Sequence, residues 1–159
     1  MNITVRPAKK EDHGAVERML RQIAQLHADL RPENFRPASK KYDAQQFAAM
    51  LSDPKVPILV AQDEQGEVLG YAMLQVKSVG ADHPILLART FLYLDDLCVD
   101  EAARGRGVGT ALMQGARELA KSRGIEKIEL NVWECNRNAM RFYERLGFAT
   151  QRRELELNI

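Results

Sequence analysis

The segment Asp95-Asp96-Leu97-Cys98-Val99-Asp100-Glu101-Ala102-Ala103-Arg104-Gly105-Arg106-Gly107-Val108-Gly109 carries most of what this chain says about itself. An apolar strand runs into it, a turn with three spaced glycines follows, and an amphipathic helix begins. Peptide N–H groups at a helix start have no intrahelical acceptor and attract anions, above all phosphate. Arg104 and Arg106 flank the glycines, and guanidinium beside backbone N–H suits a pyrophosphate. A tight turn with solvated arginines is the alternative. The dinucleotide pattern G-x-G-x-x-G fails because Thr110 stands at its third glycine, and the P-loop pattern fails for want of Gly-Lys-Ser/Thr.

Outward from the turn, periodicity sets the elements. Thr90 to Val99 reads as a strand. Positions 108, 111, 112, 115, 116, 119 and 120 form one stripe of a helix closed by Arg123-Gly124. Lys127 to Trp133 reads as a strand, Arg137 to Leu146 as a helix capped by Gly147, and Phe148 to Ile159 as a last strand or hairpin arm. Toward the N-terminus, Ile3 and Val5 mark a short strand. Val16, Met19, Leu20, Ile23, Leu26 and Leu30 form a helical stripe from Asp12 to Leu30. Residues 32 to 42, with Pro32, Pro37 and Ser39, read as a loop. Asp43 and Gln46 resemble a capping pair for a short helix with Phe47, Met50 and Leu51 inward. Pro57 to Gln62 and Glu67 to Val76 form a hairpin, and residues 77 to 89 an exposed loop. The order β-α-α-β-β-β-α-β-α-β predicts an α/β (α+β) fold: one mixed, mostly antiparallel central sheet with helices on both faces.

Bulk properties narrow the class. At 159 residues with 45% hydrophobic content, one domain over residues 1–159 with a real core is expected. A net charge of +1 gives no global field toward nucleic acid or an anionic membrane, so neither is an expected partner. No apolar run spans a bilayer, and the N-terminus lacks the apolar stretch of a signal peptide, so a cytoplasmic location is expected. Cys98 and Cys135 are too few for a disulfide scaffold or a four-cysteine zinc site and read as buried or half-buried free thiols. His13, His27 and His83 lack metal-ligand spacing, and no metal is expected. Arg137, Arg141 and Arg145 read as a solvated helix face, and Trp133 as a core residue.

Arg104-Gly105-Arg106-Gly107-Val108-Gly109 resembles the Q/R-x-x-G-x-G/A signature of the GNAT (GCN5-related N-acetyltransferase) family. The stretch from Asn131 through Asn136 and Tyr143 to Gly147-Phe148 is similar to that family's second acetyl-CoA motif. Residues 90 to 148 carry the likeness, and the first 89 match only in general layout. The resemblance implies that two strands splay apart and acetyl-CoA, a co-substrate, lies between them. Its pyrophosphate would meet Arg104, Gly105, Arg106, Gly107, Val108 and Gly109, with Thr110 adding a hydroxyl. Its pantetheine arm would pair with Leu97, Cys98 and Val99, and Asn131, Asn136 and Tyr143 would complete the cofactor contacts. A backbone N–H at Cys98 or Val99 would stabilise the oxyanion.

Tyr143 matches the family's general acid. A phenol, ordinary pKa about 10, is protonated at neutral pH and can return a proton to the departing thiolate. Tyr93-Leu94-Asp95-Asp96 resembles the Tyr-Leu-Glu-Asp segment of polyamine acetyltransferases, where the first acid is implicated as a base; Asp95 takes that place, and Asp96 is the second catalytic candidate. Regular alternation would put Tyr93, Asp95 and Leu97 on one face and Leu94, Asp96 and Cys98 on the other. One aspartate would then face the substrate and the other be held by hydrogen bonds. The region with His27, Arg31, Glu33, Asn34 and Phe35 would shape the acceptor pocket. Three functions remain open: acetyl transfer to a small primary amine, transfer to a protein N-terminus or lysine, and a non-catalytic acyl-CoA-binding domain. Family analogy allows a homodimer through the C-terminal strand.

Overall fold

The computed structural model describes residues 2–37 and 40–159; Met1, Ala38 and Ser39, the last part of the expected loop, lie outside the described residues. Five strands form one sheet in the order β1-β2-β3-β4-β5: Thr4–Pro7, Ile58–Gln62, Val68–Val79, Arg89–Val99 and Ile128–Leu130. Every pairing is antiparallel except that of β4 with β5, which is parallel. Helices α1 (His13–Leu30) and α2 (Ala44–Leu51) cover one face. There Val16, Met19, Leu20 and Phe47 pack on Val60, Tyr71, Met73 and Cys98. Helix α3 (Val108–Ser122) covers the other face, where Val108, Leu112, Met113 and Ala116 pack on Ala72, Leu74, Leu92 and Leu94. Helix α4 (Arg137–Arg145) lends Phe142 and Tyr143 to the edge of that second cluster. Arg137, Arg141 and Arg145 all face solvent. The mixed, mostly antiparallel sheet with helices on both faces is the expected architecture.

Four details depart from the expected pattern. Strand β3 runs on to Val79, because β4 begins at Arg89 and supplies a partner throughout; Ser78 and Thr90 meet through their hydroxyls at 3.0 Å. Strand β5 is only three residues long, not Lys127 to Trp133. Phe148 to Ile159 forms no strand, and Leu155, Leu157 and Ile159 are fully exposed. A strand exists only where a neighbour takes its backbone hydrogen bonds, and no strand among the described residues reaches this segment. Trp133 is 38% exposed and not in the core.

The most consequential departure lies in β4. Met73 pairs with Asp96 while the next residue, Leu74, pairs with Leu94. Asp95 is therefore an extra residue, a β-bulge, and bulges reset the alternation of the strand that carries them. Before it, Leu92 and Leu94 face α3; after it, Leu97 and Val99 face α3, while Asp96 and Cys98 turn to the α1 side. The expectation that Leu94, Asp96 and Cys98 share a face is thus corrected. The parallel pairing with β5 covers only Leu92, Tyr93 and Leu94 and stops one residue before the bulge.

A buried ion pair ties β1 to the start of α1. Arg6 grips Asp12 with both terminal nitrogens, at 2.7 and 2.9 Å, and the Lys9 amide donates to the same carboxylate at 2.7 Å. Asp12 is 6% exposed. Burial alone would raise its pKa, but the Arg6 and Lys9 bonds outweigh burial and hold it below the ordinary carboxylate value. A carboxyl with a depressed folded pKa gives stability above its unfolded pKa, about 4, and loses it as pH falls through the folded value. Replacing Arg6 by Ala strands a buried charge and should cost about 2–3 kcal/mol. Urea unfolding at pH 7 should show that loss, and wild type and variant should converge as the pH drops below about 4; equal midpoints at pH 7 would refute the assignment.

Candidate active site

The bulge opens a cleft. From Asp95 to Val99 one edge of β4 has no strand beside it, since β5 ends at Leu130. That free edge leads through Asp100 and a single helical turn, Glu101–Ala103, into the glycine turn. Gly105 and Gly107 have φ of +74° and +84°, a left-handed conformation that side-chain-bearing residues adopt only under strain. Gly107 is the N-cap of α3 and contributes no side-chain cap, so the N–H groups of Val108, Gly109 and Thr110 head the helix uncapped. Arg104, Arg106 and Thr110 are exposed around this turn, whereas the Val108 side chain is buried in the core and offers only its amide. The Arg104 guanidinium reaches back to the Val99 carbonyl at 3.4 Å. A Cβ on Gly109 would come within 3.2 Å of the Phe142 ring, so this glycine serves the docking of α4.

On the far side of the cleft stands α4. Asn136 caps it, its side-chain oxygen accepting from the Ala139 amide at 3.2 Å; the amide nitrogen is the part left to meet a ligand. Asn131 lies exposed just past β5. Tyr143 is half-buried, with its ring against Phe142 and Phe148. Burial raises its pKa, and the charge of Asp96 raises it further. Tyr143 therefore stays protonated at neutral pH and feels Asp96 across the cleft.

The two aspartates differ. The Asp96 side chain is 9% exposed and accepts from the Tyr71 hydroxyl at 3.1 Å. Burial raises its pKa above the ordinary carboxylate value, and Lys41 and the Tyr71 bond only partly offset this. Asp95, on the bulge, is 29% exposed. The Lys41 ammonium stands 3.6 Å from an oxygen of each. Lys41 and Tyr71 carry no signal in the sequence: one lysine among 23 Lys and Arg, and a tyrosine in an apolar run. Burial lowers the pKa of His27, and Asp96 partly counters this. His27, Phe35 and Trp133 lie in a row with centroids 5.0 and 5.3 Å apart, and Arg31 lies over Trp133 at 5.1 Å. Arg31 also pairs with Glu33 and with Glu156 of the C-terminal segment, each at 2.7 Å. Asn34 is exposed nearby. The His27 and Phe35 rings meet at a tilt and Phe35 meets Trp133 edge-on, so Trp133, itself exposed, belongs to this aromatic cluster and not to the core.

A free strand edge leads to a glycine turn that heads a helix, and the helix bearing Tyr143 packs through Phe142 against Gly109 at that helix start. The family model of the Acetyltransferase (GNAT) family matches residues 20–148. The chain belongs to this family. It is similar to an uncharacterized N-acetyltransferase of Methanocaldococcus jannaschii, 49% identical over 55 residues, which are 35% of this chain and 24% of that protein. It is also similar to the glucosamine 6-phosphate N-acetyltransferase of Trypanosoma brucei brucei, 33% identical over 67 residues, 42% of this chain and 44% of that protein. The chain thus spans less than half the length of these curated relatives. Among solved structures, the tetramutant BH1408 protein of Bacillus halodurans superposes with a TM-score of 0.92 at 29% identity, covering 98% of this chain and 99% of that one. No helix among the described residues is long and apolar enough to cross a membrane.

Cys98 is not available as a nucleophile. Its thiol is buried against the Met19 carbonyl at 3.4 Å, and burial together with Asp96 pushes its pKa up to about 12. Cys135 is exposed, contrary to the expectation of a buried or half-buried thiol. A disulfide thiol reagent at pH 7.5 should label Cys135 within minutes and Cys98 only after denaturation; rapid labelling of two thiols in the native protein would contradict this geometry.

Proposed function

We propose that this chain transfers the acetyl group of acetyl-CoA to a primary amine of a small molecule. The observation that carries the reading is the unpaired edge of β4 that leads from Asp95 toward the glycine turn, with the helix bearing Tyr143 packed through Phe142 against Gly109 at the start of α3. An arm bearing amides can add to that edge as a strand would, through Leu97, Cys98 and Val99. The uncapped amides of Val108, Gly109 and Thr110, with Arg104 and Arg106 beside them, suit the two phosphates. Asn131 and the Asn136 amide border the same cleft. These residues fit acetyl-CoA, which supplies an activated thioester. A cytoplasmic location and the one-domain boundary belong to the same proposal.

The roles follow from environment. Asp95, the more open carboxylate, holds the incoming ammonium. Asp96, whose raised pKa makes it the stronger base, takes a proton from it directly or through water. The neutral amine attacks the thioester carbonyl, and a strand-edge amide beyond the bulge stabilises the oxyanion. When the C–S bond breaks, the Tyr143 hydroxyl gives its proton to the thiolate and is restored by the second proton that the acylated nitrogen sheds, while Asp96 returns its own to solvent. The cluster of His27, Phe35 and Trp133 offers apolar contact for the body of the acceptor. A relative named glucosamine 6-phosphate N-acetyltransferase fits a small acceptor, and one named N-alpha-acetyltransferase fits the second reading, transfer to a protein N-terminus.

Thiol release from acetyl-CoA across a panel of amines, aminosugars and peptides tests this directly. Turnover with small amines is expected; turnover on peptides alone would transfer the assignment to protein acetylation, and CoA binding without turnover on any of them would make this a sensor domain. Tyr143→Phe keeps the ring packing and should lower kcat by about 10²-fold or more with CoA affinity unchanged. The acid limb of kcat/KM should fall through a pKa above that of an exposed aspartate, because the base form of Asp96 is lost there. Asp96→Asn should abolish that limb along with most of the rate; an unaltered profile would remove Asp96 from this role.

A further inference from the structure

A primary amine belonging to the protein itself already occupies the place assigned to the substrate ammonium. The Lys41 Nζ is 3.6 Å from Asp95 and 3.6 Å from Asp96. Asp96 is also the charge that Tyr143 senses. Lys41 lies between α1 and α2 on the acceptor side, its side chain is 45% exposed, and its four-carbon stem gives the ammonium freedom to shift by several ångströms. From the acceptor's side the two carboxylates and Lys41 together hold a net charge of −1.

We propose that Lys41 is a substrate of its own active site and is acetylated in cis when acetyl-CoA is bound and no competing amine is present. The inference rests on the acetyltransferase reading above. In the step, the Lys41 ammonium gives one proton to the Asp96 carboxylate. The freed amine attacks the thioester carbonyl and the C–S bond breaks; the CoA thiolate takes its proton from Tyr143, the second proton shed by the acylated nitrogen restores the Tyr143 hydroxyl, and Asp96 releases its proton to solvent. The product is a neutral amide at Lys41. It no longer compensates Asp95 and Asp96, so the modified pocket carries −2 and favours acceptors with more than one positive charge. Unmodified Lys41 acts meanwhile as a tethered competitor that an incoming amine must displace.

Lys40 supplies an internal control. It has the same chemistry one residue away and similar exposure, 51%, but pairs with Glu17 at 3.7 Å, away from the aspartates. The purified full chain is incubated with acetyl-CoA and no amine, digested, and acetylation at Lys40 and Lys41 is followed by peptide mass spectrometry. Labelling of Lys41 is expected to exceed that of Lys40 by about tenfold or more, as proximity in a site provides. Its rate constant should be independent of protein concentration, and excess CoA should suppress it without affecting Lys40. Tyr143→Phe should slow Lys41 alone. Equal labelling of the two lysines, labelling insensitive to CoA, or a rate constant that falls on dilution would each overturn the proposal. Calorimetric CoA binding and the amine panel on the same preparation separate the two readings. If CoA binds and amines are turned over but Lys41 stays unmodified, only the cis-acetylation fails. If CoA does not bind, both fail.

Discussion

Asp95 is one residue more than β3 can pair, and the architecture of the cleft follows from that surplus. A bulge sharpens the twist of its strand and reverses the direction of every side chain beyond it. Because of the reversal, Asp96 and Cys98 turn toward α1 while Leu97 and Val99 turn toward α3. Because pairing with β5 ends at Leu94, the backbone beyond the bulge keeps a set of hydrogen-bonding groups with no strand to receive them. An unpaired strand edge invites another extended chain. Here it lies inside the molecule, between β4 and α4, where a ligand of similar shape can use it.

The bulge also accounts for the electrostatics. Had alternation continued, Asp96 would have entered the apolar layer beneath α3, a position with no polar partner to meet it. On the α1 side it finds the Tyr71 hydroxyl and the Lys41 ammonium. It remains largely shielded from water, and the desolvation that its partners fail to cancel leaves it a stronger base than a surface aspartate. Tyr143, half-buried opposite, is kept protonated by the same lack of water and by the same negative charge. The proposed base and the proposed acid thus owe their protonation states to the same shortage of water.

The helix start and the strand edge cooperate because a single short connection joins them. Asp100 caps the turn Glu101–Ala103 through the Ala102 amide at 3.2 Å and receives Arg18 from α1 at 3.0 Å. The left-handed glycines then carry the chain into α3, whose first amides have no side-chain cap. The connection is held locally and from afar, because Ala103 and Val108 are buried in the core and Arg18 stands 82 residues before Asp100 in the chain.

Residues 95 to 110 announce themselves in the sequence because their function depends on local properties: glycines that tolerate positive φ, arginines beside free amides, and a helix stripe immediately after. Asn136 and Tyr143 stand in one short motif that the sequence displays, and β1 to β4 with the four helices follow from hydrophobic period. The face on which Asp96 lies was not legible, because a bulge is a mismatch between two strands and neither strand alone contains it. The same holds for β5 and for Phe148 to Ile159, whose alternating pattern is that of a strand but whose pairing depends on a neighbour. Lys41, Tyr71 and the row of His27, Phe35 and Trp133 come together from segments up to about a hundred residues apart. Sequence determined which local conformations each segment prefers; only the packed sheet decided which side chains share a cleft, since that depends on register and burial.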